Sequence, residues 1–181
     1  DFGKAIQLNP RLSQPYNNRG LAFFSQGSFD AAIADYTRAI QIDPKSWLAH
    51  QNRGWAFWKK EDLDAAIADY NKAIQINPNS AMIYYRRGRA VETKGDPKGA
   101  IVDYGRAIKI DPRFHKALIH RGLLFYAQGN LDAAIADYDQ AIHINPKFYK
   151  AHQNRGYALY AAKKYDQAIV DFSRAIEFNP K

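Results

Sequence analysis

The sequence predicts an all-α protein assembled from stacked helical hairpins, and three observations carry that expectation. The first is a period: Pro10, Pro44, Pro78, Pro112, Pro146 and Pro180 fall 34 residues apart, as do Gly20, Gly54, Gly88, Gly122 and Gly156. The second is that further columns keep the same register. Ala32, Ala66, Ala100, Ala134 and Ala168 form one, and Ala39, Ala73, Ala107, Ala141 and Ala175 another. Independent columns sharing one interval mark an array of a repeated supersecondary unit. The third is local, since the apolar spacing inside each unit is helical in two successive segments.

The first complete unit, Ser13 to Ser46, shows how each element arises. Tyr16, Gly20 and Phe23 lie at i, i+4, i+7 spacing, which predicts a helix over about 15–26. Gly27 stops it, and Ser28 is placed to cap the next segment. There Ala32, Tyr36, Ala39 and Ile40 share one stripe, again with helical spacing. Asp43-Pro44 ends the second helix, because the residue before proline is pushed out of the α region. Neither helix can bury its stripe alone, so the units stack. The whole chain reads as a single array: a partial repeat at 1–12, then repeats at 13–46, 47–80, 81–114, 115–148 and 149–181. It opens at Asp1 inside a repeat, with Ala5 and Pro10 in register, and reads as a fragment.

The order of these positions resembles the tetratricopeptide repeat, W-x2-L-G-x2-Y, then A-x3-F, then P. Glycine, the alanines and proline match, and Tyr36, Tyr70, Tyr104, Tyr138 and Phe172 fill the second aromatic position. The resemblance spans the chain. It implies an α-solenoid of antiparallel helix pairs forming a right-handed superhelix, with the first helices lining the concave face.

One departure from that pattern is regular. Where the motif has leucine before glycine, this chain has Arg19, Arg53, Arg87, Arg121 and Arg155. Before the second aromatic it has Asp35, Asp69, Asp103, Asp137 and Asp171, and the leading partial repeat begins with Asp1-Phe2. An isolated charge so near a packing stripe is costly, whereas a matched pair is tolerated. The two columns therefore predict a ladder of structural ion pairs between first and second helices. They leave open whether each pair lies within a repeat or bridges neighbours.

Composition narrows the chemistry. There is no cysteine, which excludes disulfides, thiolate metal sites and thiol catalysis. The cytoplasm fits that fact, as does any compartment that does not require disulfides. No apolar run approaches the ~20 residues of a membrane span. The formal charge of +8 suits acidic partners, among them acidic peptide segments, nucleic acid and anionic membrane. His50, His115, His120, His143 and His152 show no helical metal spacing, and no metal or cofactor is expected. His50 and His152 occupy the slot of Tyr16, Tyr84 and Leu118, so they read as packing residues. Asp30, Asp64, Asp132 and Asp166 recur near second-helix starts, where negative charge complements the helix dipole. No phosphate loop, dinucleotide motif or nucleophile elbow is present. An active site requires a unique constellation, and here the candidates repeat, so no catalysis is expected.

Function is then expected where repeats differ on one face. The resemblance assigns the groove to first-helix positions, and these vary: Asn17, Asn18, Phe24, Asn52, Trp55, Trp58, Tyr85, Arg86, Arg89, Tyr126, Asn154, Tyr157 and Tyr160. Amides donate to and accept from an extended backbone, and aromatics give contact area at low entropic cost. Some of these aromatics are expected to seal adjacent repeats instead. The family's clamp for a C-terminal carboxylate uses a lysine and an asparagine a turn apart on one first helix. The pairs here, such as Asn17/Leu21 and Gln51/Trp55, do not supply it. The third repeat stands apart, with Arg86 and Arg89 giving the groove a positive centre. Its second helix carries Gly99 and Gly105, which predicts the softest unit, with Asp96-Pro97 as a compensating helix start. The leading expectation is a protein-interaction scaffold binding a peptide segment, with acidic segments favoured by charge. Self-association through apolar array ends (Phe2 and Ile6, or Ile169, Phe172 and Ile176) is the alternative. Nucleic-acid binding is disfavoured, because the period is not that of the base-reading helical repeats.

Overall fold

Every repeat whose two helices fall within one unit folds as a helix, a tight bend and a second helix. The computed structural model describes residue 6 and residues 8–179, and those residues form ten helices with no strand. Asp1, Phe2, Ala5 and Pro180, which helped to set the register, lie outside the described residues. Where the sequence reads as one array, the contacts gather into two compact units, Asp1–Asp96 and Pro97–Lys181. The division falls inside the third repeat.

The first unit holds α1 (Ser13–Ser25), α2 (Phe29–Ile42), α3 (Trp47–Lys59), α4 (Leu63–Ile76) and α5 (Ala81–Thr93). The second holds α6 (Pro97–Ile110), α7 (His115–Ala127), α8 (Leu131–Ile144), α9 (Tyr149–Ala161) and α10 (Tyr165–Phe178). Within each unit, consecutive helices pack on one another in chain order.

The helix boundaries follow from local chemistry. Asp43, Asn77 and Asn145 stand before prolines, and each leaves the α region; Asp43, for example, has φ −129° and ψ 90°. α6 begins at Pro97, whose fixed φ suits a first helical position. Asp62 and Asn130 cap α4 and α8 by accepting from Ala65 N and Ala133 N. Ser28 occupies the expected cap position before α2, but its side chain makes no capping bond.

The bend inside each hairpin requires a left-handed residue. Gly27 and Gly129 supply it at φ +78° and +75°. In two repeats the same place is taken by Glu61 and Lys163, at φ 64° and 61°. A side chain there costs about 1 kcal/mol. Glu61→Gly should therefore raise stability by up to about 1 kcal/mol, less what glycine adds to the unfolded chain's freedom. A lower urea midpoint for this variant would contradict the strain.

Core packing joins each second helix to the first helix that follows. Ala32 and Tyr36 of α2 form one cluster with Ala56 of α3, with Phe23, Phe24 and Ile33 against it. Ala39 of α2 meets Ala49 of α3 beside Tyr16. Ala66, Tyr70 and Ala73 of α4 meet Ile83 and Ala90 of α5. The alanines are fully buried, so the helices approach closely. The ring of Tyr36 lies on the backbone of Gly20, and that of Tyr138 on Gly122. Enclosing a large side chain in this way is worth roughly 1.5–3 kcal/mol.

Candidate partner-binding surface

Four of the repeating Arg–Asp columns' pairs are seen as ion pairs. Arg19 donates Nε and Nη2 to the two carboxylate oxygens of Asp35, both at 2.7 Å. Arg53 grips Asp69 in the same fork at 2.7 and 2.8 Å, Arg121 grips Asp137 at 2.9 and 2.6 Å, and Arg155 grips Asp171 at 2.7 and 2.6 Å. Each pair lies within one repeat. Arg87 belongs to the first unit and Asp103 to the second.

The third guanidinium nitrogen reaches back to the preceding hairpin. Nη1 of Arg53 donates to Thr37 Oγ1 at 3.0 Å, that of Arg87 to Asn71 Oδ1 at 2.7 Å, and that of Arg155 to Asp139 Oδ1 at 2.5 Å. At Arg121 the corresponding position is Gly105, and Nη1 lies 3.4 Å from where its Cβ would be. Arg53 and Arg155 therefore close their own hairpin and tie it to the one before. Hydrogen bonding to Asp35 holds the Arg19 guanidinium above its ordinary range despite burial, and Asp171 does the same for Arg155.

The two histidines do more than pack. His50 Nδ1 lies 3.0 Å from Asp69 Oδ1, and its Nε2 faces Pro44 O at 3.4 Å. His152 repeats this with Asp171 Oδ1 at 3.2 Å and Pro146 O at 2.8 Å. Both rings are buried, so in these repeats the aspartate sits between an arginine and a histidine. Burial works to raise the Asp69 carboxyl, but the hydrogen bonds from Arg53 and His50 outweigh it and hold it below the usual range. Asp30, Asp64, Asp132 and Asp166 do lie in the first turns of their helices. Asp30 and Asp64 also bind Lys60 and Lys94 at the surface.

The residues that vary form a row on the first helices of the first unit. Phe24 of α1 meets Trp55 of α3 with ring centroids 4.3 Å apart. Arg86 of α5 lies over the other ring, 4.0 Å from the Trp55 centroid. Arg89 lies 5.1 Å from the Trp58 ring and donates to Tyr85 OH at 3.3 Å. Asn17 and Asn52 are buried, and Asn52 Nδ2 donates to Asn17 Oδ1 at 3.1 Å. Asn18 accepts from Gln14. Trp58 is partly buried against the Tyr70 cluster.

Several polar atoms on or beneath this row are shielded from solvent and have no hydrogen-bond partner: Tyr36 OH, Gln51 Oε1, Trp58 Nε1 and Arg86 Nη1. Native interiors leave few such groups. Burial pushes the Tyr36 phenol above its ordinary range, against the lowering effect of the Arg86 charge. It pushes the Arg86 guanidinium below its own. The register drew attention to Trp58 and Arg86 as variable, but nothing in it marked Tyr36, whose column is otherwise core.

In the second unit, Tyr126, Tyr157 and Tyr160 are exposed and Asn154 is half-buried. Tyr157 stacks edge-on against Phe172 at 5.2 Å, and Tyr160 against Tyr165 at 5.4 Å. On α10, Ile169, Val170 and Ile176 are exposed. Among the described residues no three His, Asp or Glu side chains are grouped to hold a metal ion. None of their helices is long and apolar enough to cross a membrane.

One family profile, described as tetratricopeptide repeat, matches residues 2–47, 17–81 and 52–113. A TPR repeat profile matches 122–163 and a further tetratricopeptide profile 149–181. The chain belongs to the tetratricopeptide repeat family. No curated protein matches the sequence. Solved structures do: MamA is 28% identical, with a TM-score of 0.83 over 93% of this chain and 92% of that one. YrrB, described as a TPR protein with an unusual peptide-binding site, is 23% identical, with a TM-score of 0.80 over 99% and 93%. MamA from Desulfovibrio magneticus RS-1 is 20% identical, with a TM-score of 0.83 over 93% and 95%. At these last two identities the likeness is one of fold, an all-α helical-repeat solenoid. Tetratricopeptide proteins are in general scaffolds that bind protein or peptide partners.

Proposed function

We propose that this tetratricopeptide chain binds an extended segment of a partner protein along the first helices α1, α3 and α5. The observation that carries this reading is the row of aromatics and cations, Phe24, Trp55, Arg86, Trp58 and Arg89, along these helices. Phe24 and Trp55 supply the apolar surface that such a segment needs to bind with useful affinity. The ladder arginines in described pairs give no competing site, because they are held by aspartates. YrrB, whose fold is similar, is described as having a peptide-binding site.

A bead-bound library of random dodecapeptides, N-acetylated and C-amidated, tests the reading. Selected peptides should shift backbone amide resonances of α1, α3 and α5, and Trp55→Ala should weaken them about tenfold or more. A library that yields no binder, or shifts confined to α2 and α4, would sink it.

A further inference from the structure

The turns between repeats in the second unit carry a positive charge that the fold does not use. The turn into α7 reads Arg113-Phe114-His115-Lys116, and the turn into α9 reads Lys147-Phe148-Tyr149-Lys150, one period later. In the first unit, Ser46 and Ser80 stand in the column of the two phenylalanines, and Leu48 and Met82 in that of Lys116 and Lys150. Arg113, Lys116, Lys147 and Lys150 are exposed, as is Lys109 in the last turn of α6. None of them pairs with a carboxylate among the described residues. Asp111 accepts from the Arg113 backbone N at 3.0 Å to form the turn, and Glu177 pairs with Arg174 at 2.8 Å. The arrangement works against the helices that it begins. Lys116 and Lys150 lie in first turns that hold no acidic residue, where a cation opposes the helix dipole. Phe114 and Phe148 occupy the cap positions without making a capping bond, whereas Ser46 caps α3 through Ala49 N. The two turns abut, with the rings of His115 and Phe148 edge-on at 5.5 Å. Lys150 Nζ lies 5.9 Å from the Tyr149 ring. Together they form one strip of exposed cations backed by half-buried rings.

We propose that this strip, at the turns leading into α7 and α9, docks the protein on an anionic membrane surface. Basic side chains held near such a surface are drawn to it additively, and the attraction fades within a Debye length. Rings among long basic stems suit the headgroup region, which is wet on one side and apolar on the other. The rings are half-buried and meet edge-on, so they offer no open face on which the bases of a single-stranded nucleic acid could stack. The strip uses no residue of α1, α3 or α5, so it stands independently of the peptide-binding reading.

Co-sedimentation with phosphatidylcholine vesicles, with and without phosphatidylglycerol, provides the test. The chain should bind only the vesicles that contain phosphatidylglycerol, and should be released by rising salt. Because net charge alone gives some attraction, two variants that lose the same charge are compared. Replacing Arg113, Lys116, Lys147 and Lys150 together by Gln should weaken binding at least about tenfold. Replacing the exposed Lys45, Lys59, Lys72 and Lys163 together by Gln should weaken it far less. The first variant should unfold at a urea midpoint no lower than that of the wild type, since it relieves two helix starts. No binding to the anionic vesicles overturns the proposal, and so do equal losses in the two variants, which would mark a diffuse attraction. A lower midpoint would give these cations a structural role and overturn it. Tighter binding to duplex DNA than to the vesicles at the same salt, lost in the first variant alone, would assign the strip to nucleic acid instead.

Discussion

Arg53→Ala should lower stability by about 3 kcal/mol at neutral pH, seen as a large drop in the urea midpoint. The size comes from what the substitution leaves behind. Asp69 is only 6% exposed, and Arg53 supplies both prongs of its grip. Removing the guanidinium strands a buried carboxylate with His50 as its remaining side-chain partner. The same change also frees Thr37 and so loosens the contact with the preceding hairpin. Arg53 itself is 20% exposed, so solvent relieves part of the loss and the lower end of the range for a broken buried pair applies. Lys60→Ala is the control: its partner Asp30 is 84% exposed, and a surface pair contributes little. The pH dependence provides a second readout. The folded Asp69 carboxyl is held below its unfolded value. Its ionised form therefore adds stability above about pH 4, and that is lost as pH falls through the lower folded value. Arg53→Ala should flatten this acid limb. Equal midpoints for Arg53→Ala and wild type would show that the pair contributes nothing.

The fold was legible because its information is periodic. A column of alanines or prolines at a fixed interval specifies where helices touch and where they end, whatever the surface residues are. The ladder was legible for a related reason: opposite charges in two fixed columns have few other ways to be satisfied near a core. What escaped was anything carried by a chemically mixed column. Thr37, Asn71, Gly105 and Asp139 share one position, yet three of them accept from the next repeat's arginine and one has no side chain. His50 and His152 share a column with Tyr16 and Leu118, which concealed their bonds to aspartate. Glu61 and Lys163 took a left-handed bend that a glycine rule would not assign to them.

The binding row was legible as a list and not as an arrangement. Trp55 lies 31 positions after Phe24 and 31 before Arg86, so the stack runs diagonally, one turn back from the 34-residue register. Reading down columns sets Asn18, Asn52 and Arg86 side by side, whereas Asn52 turns to Asn17 and Arg86 to Trp55. The offset is set by how neighbouring first helices stagger, which no single repeat encodes.

Gly122→Ala should cost about 2 kcal/mol, and the sign is a contest between two effects. Alanine is the better helix former by about 1 kcal/mol, so in an open position the change would stabilise α7. Here a Cβ would lie 2.6 Å from Cε1 of Tyr138, with Cζ and Cδ1 at 3.0 and 3.1 Å. These are ring atoms on an enclosed side chain, and Tyr138 is only 1% exposed. Ordinary carbon contacts are at about 3.5–4.0 Å, so the ring must move by most of an ångström inside a close-packed interior. Such overpacking costs up to about 3 kcal/mol and outweighs the propensity gain. The decisive comparison places the same substitution on a Tyr138→Ala background. With the ring gone the clash is gone, only the helix preference remains, and Gly122→Ala should become neutral or stabilising. Were it equally harmful with and without the ring, the glycine would be required by the backbone. The i, i+16 pairing of glycine and aromatic would then not be what sets the distance between the two helices of a hairpin.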